Sequence, residues 1–159
     1  MDGRSRYAHF DAAMAVDRRK AEAFGACRAG VHLAYGPGME DRDFAPLKAR
    51  TKAFGVTILG LVKTLPTDPA TAHIVGQLVR CATSVGSNYR ASCRAKSKAD
   101  FISKMAWVEE EADESKYWLE VLVETGTVAR TNVAMLIDEA DQLVRIVVAS
   151  INTARGGSR

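Results

Sequence analysis

Apolar residues recur once per helical turn in four separate stretches of this chain, and polar residues fill the positions between them. Phe54, Ile58, Leu61 and Leu65 stand four, three and four apart, which puts them on one helical face. Ile74, Leu78, Cys81 and Val85, flanked by Val75 and Ala82, repeat the pattern. Phe101, Met105, Val108, Ala112, Ser115, Leu119 and Leu122 carry it over three heptads, and Val133, Leu136, Ile137, Ala140, Leu143, Val144, Val147 and Ile151 carry it once more.

Start and stop signals bracket these stripes. The first helix is predicted from about Ala45 to Leu65, with Asp43 as cap, Pro46 in the first turn and Pro66 as the stop. Gly55 and Gly60 within it weaken helix propensity, and their expected use is the close approach of a neighbouring helix. Asp68-Pro69 starts the second helix, which runs to about Arg90 or Ser92 and is kept slim by Gly76, Ser84, Gly86 and Ser87. Ser97 and Asp100 resemble a capping box for the third, which ends near Glu124 and Gly126. Thr131 or Asn132 is the expected cap of the fourth, which reaches about Thr153. No stretch alternates with period two, so no strand is expected. Four long amphipathic helices with short connections predict an all-α, antiparallel up-down four-helix bundle.

The bundle domain is expected over residues 39–155, with a short tail at 156–159. Residues 1–38 lack a strong stripe and end on the breaker Gly36-Pro37-Gly38, with Met39 next. They read as a flexible extension or a misassigned start.

Composition narrows the class. Of 159 residues, 47% are apolar, enough for one sizeable core. No run of about 18 apolar residues and no secretory-type leader is present, so neither a membrane span nor secretion is expected. The three cysteines, Cys27, Cys81 and Cys93, are odd in number and form no C-x-x-C pair. That suits a reducing, cytoplasmic setting, with Cys81 a buried thiol on its stripe.

Catalytic chemistry finds little to work with. A di-iron bundle needs Glu-x-x-His pairs, yet His73 is the one histidine in the bundle region, His9 and His32 preceding it, and no Glu stands three residues before it. Cys93 lies twenty residues further along the same helix from His73, roughly 30 Å at 1.5 Å per residue, so the two form no nucleophile–base pair. Glycine-rich phosphate loops and dinucleotide fingerprints are absent. Glu109, Glu110, Glu111, Asp113 and Glu114 run around the third helix and are read as solvated or paired with cations. No enzyme activity, metal or cofactor is expected.

Charge is the more telling feature. The net charge is +3, with a sequence pI near 8.8, which permits nucleic-acid contact without requiring it. Residues 80–104 hold six cations (Arg80, Arg90, Arg94, Lys96, Lys98, Lys104) against Asp100, whereas residues 109–124 hold seven anions against Lys116. Three readings fit this segregation: phosphate contact by the basic end, attraction between subunits, and a solvated turn whose surface ion pairs contribute little. Tyr89 is the aromatic residue beside the cations, so base stacking has slight support. Glu111, Glu114 and Trp118 form a second stripe on the third helix, and with Trp107 they are the expected interface between subunits.

The stretch Gln77-Leu78-Val79-Arg80-Cys81-Ala82-Thr83-Ser84-Val85-Gly86-Ser87-Asn88-Tyr89 resembles the second-helix signature, roughly Q-L-x-R-A-x-x-S-I-x-x-N-I-A-E-G, of proteins encoded in intervening sequences of bacterial 23S rRNA genes. Arg94 to Phe101 and the third helix through Glu114 and Leu119 resemble its continuation, and the likeness spans about Asp43 to Ala154. Where the family has A-E-G, this chain has Arg90-Ala91-Ser92, so no role is carried over for the family's acid. The resemblance implies a homopentameric ring of four-helix bundles without enzymatic activity. A related group, the accessory proteins of diversity-generating retroelements, is more basic and binds nucleic acid and reverse transcriptase; this chain is not assigned to it. By analogy alone, Arg80, Arg90, Arg94, Lys96 and Lys98 are the expected RNA or DNA contacts. The alternative is a protein-interaction scaffold that binds no nucleic acid.

Overall fold

A computed structural model describes residues 41–156, and the expectations for residues 1–38 and for the end of the tail lie outside them. The described residues form four α-helices and no strand: α1 (Asp41–Val62), α2 (Pro69–Ser92), α3 (Lys98–Glu124) and α4 (Arg130–Arg155).

Local chemistry explains most of the boundaries. The Asp68 carboxylate accepts the Ala70 and Thr71 N–H groups, both at 3.1 Å, and Pro69 occupies the first turn, where a missing N–H costs nothing. Ser97 Oγ accepts the Asp100 N–H at 3.1 Å, while the Asp100 carboxylate accepts the Lys96 N–H at 2.9 Å. The box therefore closes one residue earlier than the usual reciprocal pair. Gly126 at φ 71° and Gly156 at φ 90° follow the ends of α3 and α4 in the left-handed region that favours glycine.

Three boundaries differ from expectation. Helix α1 starts at Asp41, so Asp43 and Pro46 lie inside it. It also stops at Val62, because Thr64 and Leu65 donate instead to Leu61 and Val62, three residues back, and the Thr64 hydroxyl donates to the Leu61 carbonyl as well. Leu65 remains buried beyond the helix end. Helix α4 begins at Arg130 with Ala129 at the cap and no capping side chain, so neither Thr131 nor Asn132 serves.

The stripes read from the sequence supply most of the core, although Ile74, Val75 and Val144 are only half-buried. Phe54, Ile58, Leu78, Val85, Met105, Val108, Leu119, Leu122, Val133, Leu143 and Val147 are fully enclosed, each burial contributing about 1.5–3 kcal/mol. The Cys81 thiol is buried beside the Ser115 hydroxyl at 3.2 Å.

Helix α1 packs on α2, α2 on α3, and α3 on α4. A Cβ on Gly55 would stand 3.1 Å from the Ala82 carbonyl, and one on Gly86 would stand 3.3 Å from that of Thr51, so the α1–α2 backbones approach closely at these two glycines. Gly60 and Gly76 meet nothing within 4 Å and have no such use. Helix α4 returns to α1 through a buried cluster: Arg50 donates to Glu139 at 2.6 and 2.8 Å and to Gln142 at 2.7 Å. Contacts between successive helices, closed by this fourth seam, make a bundle. Among the described residues no helix is long and apolar enough to cross a membrane.

Candidate functional site

The α2–α3 turn gathers the predicted cations. Its backbone is held by N–H bonds from Arg94 to Ala91 (3.1 Å) and from Ala95 to Ser92 (3.0 Å), then by the Ser97–Asp100 cap. Arg90, Arg94, Lys96 and Lys98 are exposed on this frame, and none forms an ion pair among the described residues. Asp100, the local anion, is paired with Lys104 one turn on. That hydrogen bond, aided by the Lys96 N–H, holds the Asp100 carboxyl below the usual carboxylate range. The acid is thus engaged within the turn, and four cations face solvent.

Arg80 is placed differently. Its guanidinium donates to Glu114 at 2.5 Å and to Glu111 at 3.3 Å across the α2–α3 seam, and its Nε reaches Gln77 at 3.3 Å. Glu114 also accepts the Trp118 indole N–H at 3.1 Å. The Arg80 hydrogen bond holds the Glu114 carboxyl low, whereas burial pushes Glu111 up against the pull of Arg80. One residue expected on nucleic acid and three expected at an interface are therefore one another's partners within the chain. Half of the Arg80 side chain remains exposed, so the cluster is a surface network.

The aromatic residues sort in the same way. Tyr89 is fully buried and offers no face to a base, because its spacing of four from Val85 continues the core stripe of α2. Trp118 meets His73 edge-on at 6.4 Å and Tyr117 at 4.9 Å. Trp107 is 58% exposed.

Sequence reasoning missed the Arg50–Glu139–Gln142 cluster and the partnership of His73 with Trp118. A signal for the first was present: Arg50 falls between Leu47 and Phe54 on the core face of α1, and Glu139 adjoins Ala140 in the α4 stripe. Among the described residues no group of three or more His, Cys, Asp or Glu side chains is arranged to hold a metal ion.

Four packed helices with a cationic turn between the second and third define a small helical-bundle protein. The chain belongs to the 23S rRNA-intervening sequence protein family, whose profile matches residues 47–149. It is similar to a crystal structure of a protein with unknown function from the S23 ribosomal protein family of Bacteroides thetaiotaomicron, with 30% identity and a TM-score of 0.62. That alignment covers 66% of this chain and 97% of the other. No curated protein matches the chain.

Proposed function

We propose that this chain is a non-enzymatic, antiparallel four-helix bundle that associates with further copies of itself and binds RNA or DNA through the α2–α3 turn. The antiparallel reading is supported by contact order: residues 51 and 55 meet 86 and 82, and 81 and 92 meet 115 and 105, so numbering falls along one helix as it rises along the next. The observation that carries nucleic-acid binding is the exposure of Arg90, Arg94, Lys96 and Lys98 on one turn whose acid is already paired. Four cations held together at a helix junction suit a run of phosphates better than an isolated anion. Arg80 is not a free member of this set, and its contribution waits on release from Glu111 and Glu114.

Fluorescence anisotropy with labelled RNA and DNA tests the reading. Binding is expected to weaken steeply with salt, with a log–log slope of about −3 to −4 if four phosphates are neutralised on duplex DNA. The Arg90→Glu/Arg94→Glu/Lys96→Glu variant is expected to lose it. Absent or salt-independent binding by the wild type leaves the second reading, a protein-interaction scaffold, which the exposed Trp107 favours.

A further inference from the structure

Two outer helix faces have no partner among the described residues, and they complement each other. On α1, Lys52, Val56 and Leu59 stand four and three apart in one stripe opposite the core face, and Lys63 follows directly after the helix end. All four are exposed, Val56 at 50% and Leu59 at 37%. Residues 44–65 contain no acid at all. On α3, Glu110, Asp113, Tyr117 and Glu124 stand three, four and seven apart, also in one outer stripe, with Tyr117 55% exposed. None of Lys52, Lys63, Glu110, Asp113 and Glu124 forms an ion pair among the described residues. Asp113 acts on Lys116 only as a more distant charge, since Lys116 is bonded to Asp141.

Helices α1 and α3 are not packing neighbours; each packs on α2 and α4. Their outer stripes therefore cannot meet within one chain. We infer that the Lys52–Val56–Leu59–Lys63 stripe of one copy docks on the Glu110–Asp113–Tyr117–Glu124 stripe of a second copy. This rests on the self-association proposed above and assigns its faces. Burial of Val56 and Leu59 against the Tyr117 ring supplies the apolar centre, and the flanking lysines and carboxylates set partner and register. Because the two faces differ, the contact is heterologous. Each docked copy leaves one face of each kind unused, so further copies add in the same sense, giving a ring where the rotation closes and an open filament where it does not.

The charges make the contact separable in a mixing experiment. The full-length chain is prepared as Lys52→Glu/Lys63→Glu and, separately, as Glu110→Lys/Asp113→Lys, and masses are read by light scattering, with circular dichroism reporting helix content. Each variant alone is expected to fall from the wild-type oligomer to a single chain of 17.2 kDa. Mixed in equal amounts, the intact acidic face of one variant meets the intact basic face of the other, and the two reversed faces are likewise opposite in sign, so the mixture is expected to regain a mass above that of one chain. A fully folded variant that keeps the wild-type mass overturns the assignment, as does a mixture that stays monomeric. If Lys52→Glu/Lys63→Glu keeps its mass but loses RNA or DNA binding, the α1 stripe is a phosphate contact and the assignment also falls. A monomeric wild type overturns self-association itself, whereas an oligomeric wild type with unaltered variants overturns only the faces.

Discussion

Arg50 on α1 and Glu139 on α4 form a two-point ion pair, Nε to Oε1 at 2.6 Å and Nη2 to Oε2 at 2.8 Å, with side chains only 5% and 6% exposed. The pair spans 89 residues of sequence and lies on the seam where α4 returns to α1. Gln142 accepts a further hydrogen bond from Arg50 at 2.7 Å. Bidentate geometry and the third hydrogen bond, to Gln142, compensate the desolvation of the guanidinium, which an apolar surrounding alone would not tolerate.

Breaking this pair is expected to cost far more than replacing it. Glu139→Ala removes a bidentate counter-charge from the buried Arg50 guanidinium and should lower unfolding stability by about 3–5 kcal/mol. The double variant Arg50→Met/Glu139→Leu removes both charges together and should recover most of that loss. Urea denaturation of the three proteins decides the matter. Equal losses in the single and double variants would show that the pair contributes shape rather than charge compensation.

The glycines divide into two groups with opposite expected responses. Gly76 lies within α2 and a Cβ there meets nothing within 4 Å, so Gly76→Ala should raise stability by up to about 1 kcal/mol through helix propensity. At Gly55 the added Cβ would press on the Ala82 backbone at 3.1 Å, and backbone in a packed helix yields little. Gly55→Ala should therefore lose about 1–3 kcal/mol despite the same propensity gain. Thermal melts of both variants check this, and a stabilised Gly55→Ala would mean that α1 and α2 can separate slightly without loss.

These examples show what could and could not be read before the structure. Phe54, Ile58, Leu61 and Leu65 were legible because burial imposes a period that the sequence displays directly. The caps Asp68 and Ser97 were legible because a short polar side chain before an apolar run has few other uses. The start of α4 was not, since Ala129 caps through its backbone position alone and leaves no side-chain signature. Arg50 and Glu139 stood inside apolar stripes, but nothing in the sequence couples two positions so far apart. The blocks of charge on α2 and α3 were plain, yet the pairing of Arg80 with Glu111 and Glu114 depends on helix register, which periodicity does not supply. Tyr89 has charged neighbours in sequence, but its spacing of four from Val85 is the stronger clue and puts it in the core.

Acid should destabilise the fold through identifiable carboxylates. Asp68 is held below its ordinary value of 3.8 by hydrogen bonds from the Thr71 side chain and backbone. Asp100 is lowered by its bond with Lys104 and Asp141 by its bond with Lys116, while Glu114 is held below 4.5 by Arg80. For each, the folded state binds its proton less readily than the unfolded state. Stability from these groups is therefore complete above their unfolded values and is lost as pH falls through the lower folded ones. Glu111, raised by burial, works in the opposite sense and offsets part of the effect. The melting temperature should thus decline as pH falls below about 4.5. Asp68→Asn keeps a capping oxygen without a titrating proton and should decline less steeply. Parallel melting curves across pH for the two proteins would remove Asp68 from the account.

Among the described residues the Tyr89 hydroxyl is a buried polar atom without an ordinary hydrogen-bond partner, although its ring is enclosed in the core on α2. Burial pushes its ionisation well above the usual value of 10, and the neighbouring Cys93 thiol adds to the shift. A buried hydroxyl left unbonded costs about 1–3 kcal/mol, while the ring itself gains from enclosure. The two contributions separate by substitution. Tyr89→Phe keeps the ring, sheds the hydroxyl, and should be neutral or more stable by about 1 kcal/mol. Tyr89→Ala empties the site and should lose about 3–5 kcal/mol. Urea denaturation gives both values. A loss above about 1 kcal/mol in Tyr89→Phe would mean that the hydroxyl is satisfied in solution, with the Cys93 thiol the first group to examine by Cys93→Ala in the same background.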